Sequence, residues 1–207
     1  MSDVLGGGYE APDGAKTLFR EFTEDGVTFA ARAVTLAPSD ETTGAALVIT
    51  TEHHEVHEGE MFHAGHTAAS VANGGNLTLL LRTGAKECHT VFEVFAGGQV
   101  TVSLYEGSEI LEGDEGTALV AYNMKRSSAN TPTAEVYHTP TVNDLGEVAL
   151  VNARILPGGN SPQTRVGGGI RQGIEWVLAP STDYVLRAVN SSGSAVAVNL
   201  ALEWYEE

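Results

Sequence analysis

The chain has 207 residues, 42% of them hydrophobic, and a formal charge of −16 with only 11 lysines and arginines. That apolar content supports a packed core and argues against wholesale disorder. The scarcity of basic residues excludes a counterion-releasing nucleic-acid surface and an electrostatic anchor on anionic lipid. An acidic surface instead favours solubility and suits a basic protein partner. The 24 glycines fit many short strands and turns better than long helices.

The first residues, MSDVLGGGYEAPDG, contain neither a basic leader nor an apolar stretch. No secretory signal is therefore expected, and synthesis in a cytoplasm is. No apolar run reaches membrane-spanning length. Residues 1–46 read as an extended N-terminal arm, glycine-rich at Gly6–Gly8 and acidic around Glu21, Glu24 and Asp25, with short strands over Thr17–Phe22 and Val27–Leu36. A polar stretch, Pro38–Gly44, precedes the apolar run Ala45–Thr50. Residues 47–207 form the body.

The body reads as strand after strand. Leu77–Leu81 follows a turn at Ala72–Asn76. His89–Ala96 and Gln99–Glu106 flank Gly97-Gly98, which predicts a two-residue hairpin. Val100, Val102 and Leu104 alternate with Thr101, Ser103 and Tyr105, the period of a half-buried strand. Further strands are expected at Ala118–Asn123, Ala134–Thr139, Val148–Ile155, Ile174–Leu178 and Tyr184–Val189. After a turn at Asn190–Ser194, which predicts a second hairpin, Val196, Val198, Leu200, Leu202 and Trp204 occupy one face of a strand. Ala197, Asn199, Ala201, Glu203 and Tyr205 occupy the other. Eight or more short strands without intervening helices predict an all-β fold, an antiparallel β-sandwich of jelly-roll type.

Several motifs invite a chemical reading. Five of the seven histidines, His53, His54, His57, His63 and His66, crowd the window Glu52–His66 together with Glu55, Glu58 and Glu60. These are ligand types for transition metals, and the window invites comparison with cupins. The spacing does not follow: adjacent His53 and His54 face opposite ways in a strand, a turn at Glu58–Glu60 separates His57 from His63, and only His89 and His138 lie downstream. A polar loop and strand edge is the reading, with no metal site. The single cysteine, Cys88, reads as a small buried residue, and strand alternation turns its neighbour His89 to the opposite face, so the two make no dyad. The glycines of Gly167–Gly173 precede a strand rather than a helix and read as a surface loop, not a phosphate cradle. No Gly-x-Ser-x-Gly elbow is present, and Ser191–Ser194 falls in a turn. Trp176, Trp204, Tyr184 and Tyr205 could form a glycan-stacking platform, although Trp204 belongs to the apolar face of its strand. No catalytic residues and no cofactor are expected.

Taken in order, several stretches resemble a known family. They are Glu55-Val-His-Glu-Gly59 with Phe62, then Phe92-Glu-Val94 leading into Val100–Gly107, Gly116–Leu119 and Tyr122–Ser127. Val136–Thr141, Glu175–Leu178, Pro180, Tyr184–Arg187 and Glu203–Glu206 follow. Over roughly residues 47–206 the chain is similar to small virion proteins of tailed bacteriophages encoded among head genes, resembling capsid decoration or cement proteins. The resemblance implies a β-sandwich without cofactor, assembled as a dimer or trimer over the major capsid protein on the outside of the virion, with a neck or tail position open. A receptor- or glycan-binding module on the virion exterior is the alternative, and a cupin-like metal-binding protein a third. Residues 1–46 lie outside the resemblance. An arm there is expected to order against neighbouring subunits.

Overall fold

A computed structural model describes residues 51–146, 148–158 and 175–207, together with the backbone of five further strands named below. The chain divides into two compact units, 1–50 and 51–207. In the first, β1 (Tyr9–Glu10) pairs with β2 (Lys16–Thr17), and β3 (Phe19–Glu24) pairs antiparallel with β4 (Val27–Arg32). The apolar run Ala45–Thr50 lies outside the described residues.

The second unit opens with α1 (Thr51–Glu58), followed by β5 (Phe62–Val71), β6 (Asn76–Arg82), β7 (Cys88–Ala96) and β8 (Val100–Glu106). Short strands β9 (Thr117–Ala118), β10 (Tyr122–Asn123) and β11 (Glu135–His138) come next, then β12 (Val148–Leu156) and β13 (Val166–Gly169). The chain closes with β14 (Trp176–Leu178), β15 (Asp183–Asn190) and β16 (Val196–Glu206). With 53% strand and 5% helix, the fold is all-β, two antiparallel sheets packed face to face. One sheet runs β10-β5-β16-β7-β13, with β14 also on β7; the other runs β12-β8-β15-β6-β11-β9. The pairing is nested: β5 takes β16, β6 takes β15, β7 takes β13 and β14, and β8 takes β12.

The core follows directly from period-2 alternation. Val198, Leu200, Leu202 and Trp204 of β16 and Phe92 and Val94 of β7 point inward from one sheet, all essentially inaccessible. Leu79 and Leu81 of β6, Val102 and Leu104 of β8 and Leu186 of β15 meet them from the other. Phe62 packs on Trp204 with ring centroids 5.8 Å apart. At about 25 cal/mol per Å² of apolar surface, each such side chain contributes roughly 1.5–3 kcal/mol.

Two expected hairpins are corrected. The arms around Gly97-Gly98 do not pair: β7 lies in one sheet and β8 in the other, and the same holds for β15 and β16 around Asn190–Ser194. Alternation is equally satisfied when both arms turn their apolar faces toward each other across the roughly 10 Å between sheets, so the turns become arches. Ala118–Asn123 is also not one strand. β9 and β10 join opposite sheets. The window Thr51–Glu58, expected as loop and strand edge, is a helix ended at Gly59, whose φ is 80° and whose N–H donates to Glu55 O at 3.0 Å.

Candidate functional site

Helical geometry redistributes the histidine window. His53 and His57, four residues apart, share one face of α1, and their Nε2 atoms lie 2.9 Å apart. His54 points elsewhere, its Nδ1 3.1 Å from Glu55 Oε1. On β5, His63 stands opposite Tyr122 and Glu203. His66 instead stacks on His138 of β11, centroids 3.7 Å apart and rings within 4° of parallel. Burial first, and then the charge of His138, holds His66 below its ordinary pKa. The five histidines therefore serve four separate places. Among the described residues, no group of three or more His, Cys, Asp or Glu converges as a metal cage.

Cys88 is fully buried, and desolvation above all pushes its thiol up to about 12. His89 does face the other way. It stacks on Tyr205 at 4.5 Å, and its Nδ1 lies 3.0 Å from Glu175 Oε1. Tyr205 donates to the same carboxylate at 3.1 Å, and burial together with that carboxylate raises its phenol well above the usual range. The aromatic platform does not form: Trp204, Tyr184 and Tyr205 are 0%, 1% and 3% exposed. Core packing claims Trp204 and Tyr184, Trp176 packs half-buried against the same core, and Tyr205 stacks on His89 from the opposite face of β16. Part of Gly167–Gly173 is also corrected from loop to strand, since Gly167, Gly168 and Gly169 pair with Phe95, Val94 and Glu93. Residues 170–173 lie outside the described residues. Ser191–Ser194 occupies an arch, with Ser192 Oγ donating to Ser194 O at 3.0 Å.

The surface that stands out lies at the edge of the first sheet. β10 pairs only with β5, leaving its other side unpaired among the described strands. Around it Val120, Tyr122 and Met124 alternate outward, 66%, 54% and 39% exposed. Asn123, between them, turns inward, donating to Gly59 O at 2.6 Å and Asn130 O at 3.2 Å and accepting from the Lys125 N–H at 2.9 Å. These three bonds fix the stripe's direction. The Arg126 guanidinium sits over the Tyr122 ring, 5.5 Å from its centroid, and donates to Asn123 O. Residues 117–134 contain no carboxylate but include Lys125 and Arg126, in a chain of net charge −16. An exposed Tyr–Arg pair flanked by apolar side chains is the composition of a binding hot spot.

Sequence reasoning passed over this stripe by reading Ala118–Asn123 as one more short strand. The available signals were the alternation at 120, 122 and 124 and the local lack of acid. The arrangement can hold a protein surface by apolar burial and guanidinium contacts. No helix of the described residues is long and apolar enough to cross a membrane. No protein-family model, curated protein or solved structure matches this chain.

Proposed function

We propose that the chain is a non-catalytic structural virion protein that binds the outer surface of a phage capsid and stabilises it, docking through the edge around β10. The observation that carries this reading is the outward stripe Val120–Tyr122–Met124 with Arg126 over Tyr122, set in an acid-free stretch of an acidic chain. The ordered resemblance to decoration proteins over residues 47–206 supports the capsid as partner. The nested pairing of first strand with last, second with next to last, and so inward supports a jelly roll within the sandwich class. A rigid sandwich keeps its shape under load while the exposed edge supplies the contact area.

The test is binding of the purified chain to capsids assembled from a tailed-phage major capsid protein. Tyr122→Ala with Met124→Ser is expected to lose about 2 kcal/mol or more of binding, the scale of a hot spot, with thermal unfolding little changed. Wild-type occupancy by that double variant would remove the docking assignment. Failure of the wild-type chain to bind capsids at all would remove the capsid reading.

A further inference from the structure

We propose that helix α1 carries a two-point chelate, His53 and His57, for a borderline divalent transition ion such as Ni²⁺, Cu²⁺ or Zn²⁺. The proposal stands independently of the capsid reading. The two histidines are one helical turn apart on the same face, and their rings meet edge-to-face with centroids 4.6 Å apart and an interplanar angle of 69°. Their Nε2 atoms are 2.9 Å apart. Two imidazole nitrogens at about 2.0–2.1 Å from one metal lie about 2.8–3.0 Å apart at the right angles of square-planar copper or octahedral nickel, and about 3.3–3.4 Å apart on tetrahedral zinc. The two Nε2 atoms are hydrogen-bonded to each other, so a small rotation and a shift of one ring's proton to Nδ1 bring both lone pairs onto one ion.

Imidazole selects the class of ion, since it suits zinc, copper and nickel, whereas magnesium and calcium require oxygen donors. His54 is not part of the pair, because its Nδ1 is turned to Glu55. His63 and His66 sit on β5 with other partners. Water, or the same pair from a second copy of the chain, would complete the coordination. Binding replaces the imidazole-to-imidazole hydrogen bond with two metal bonds and ties adjacent turns of an eight-residue helix. Such a helix is marginal by itself, so the ion locks it.

The test is calorimetric titration of the full-length, untagged protein with NiCl₂ and ZnCl₂, paired with the melting temperature in each. Wild type is expected to take one ion per chain, or one per two chains if pairs from two copies share it, and to melt higher as binding stabilises the folded state. Loss of an outer-shell partner alone costs about 10–100-fold in metal affinity. His57→Gln and His53→Gln are therefore each expected to weaken binding at least tenfold and to abolish the melting shift. His54→Gln should leave both unchanged, and MgCl₂ should give no heat of binding. Equal affinity in wild type, His53→Gln and His57→Gln, or no binding to wild type, overturns the chelate.

Discussion

Asn190, fully buried where β15 ends, donates through Nδ2 to the carbonyl of Val71 at 2.8 Å, 119 residues earlier at the end of β5. The same nitrogen reaches Ser194 O at 2.7 Å, and Oδ1 accepts from the Ser192 N–H at 2.9 Å. The Asn190 backbone exchanges bonds with Gly74 and Gly75, both 2.8 Å, and the Ser191 N–H donates to Gln99 O at 3.0 Å. One short segment therefore ties together the arch it forms, the Gly97-Gly98 arch and the β5–β6 connection, whose strands also lie in different sheets. Each arch carries backbone groups that no ladder can satisfy, and the asparagine amide supplies both a donor and an acceptor there.

Asn190→Ala is expected to destabilise the protein by about 2–3 kcal/mol, because it strands buried carbonyls without a donor. Asn190→Asp should be no better. It keeps the acceptor for Ser192 but presents a carboxylate to two carbonyls. Urea unfolding measures both, and a loss below about 0.5 kcal/mol would show that these bonds are not holding the arches.

Gly116 is held at φ 87°, and a Cβ there would lie 2.4 Å from His138 O and 2.8 Å from the Thr139 backbone. Both obstacles are main chain, so neither can swing aside. Gly116→Ala is expected to cost roughly 1–3 kcal/mol from backbone strain, with a steric penalty added. Gly74→Ala is the control: its φ is 78°, but nothing lies within 4 Å of the new methyl group. Equal losses in the two variants would mean that the contact with His138 and Thr139 gives way freely.

The stacked His66–His138 pair makes stability sensitive to mild acid. Burial and then His138 lower the folded-state pKa of His66 from 6.5, so the unfolded chain takes up the proton first. Stability attributable to His66 is complete above 6.5 and is lost progressively as pH falls below it, down through the folded value. His66→Gln should flatten the slope of unfolding free energy against pH just below 6.5. An unchanged slope would assign the acid sensitivity to other groups.

Cys88, fully buried and with its thiol raised to about 12 chiefly by desolvation, carries almost no thiolate near neutrality. A disulfide reagent at pH 8 should leave the folded protein unlabelled and modify one thiol per chain in denaturant. Rapid labelling of the native protein would mean that β7 opens far more readily than its place between β16 and β14 allows.

The strands were legible because their signal is local. Val196 to Trp204 alternate strictly, and a period of two states by itself that one face is buried and the other is not. Cys88 against His89, and Trp204 in the core, followed from the same rule. The histidine window illustrates the limit of that rule. Its residues carry no periodicity of either kind, and α1 is decided by the packing around Gly59, including the Asn123 bond to Gly59 O at 2.6 Å from a residue 64 positions away. The candidate docking stripe was written in the alternation of Val120, Tyr122 and Met124, but only the edge position of β10 leaves those side chains outside.

The sequence by itself determined an acidic, all-β chain and which residues of β8 and β16 turn inward, since alternation and charge need no knowledge of neighbours; β5, ten residues long, was not read as a strand. Tertiary structure alone decided which sheet each strand joins. Gly97-Gly98 and Asn190–Ser194 serve a hairpin or an arch equally well until the partners of β7, β8, β15 and β16 are in place. Pairing between residues 100 or more apart is a property of the assembled sheets, and no local pattern encodes it.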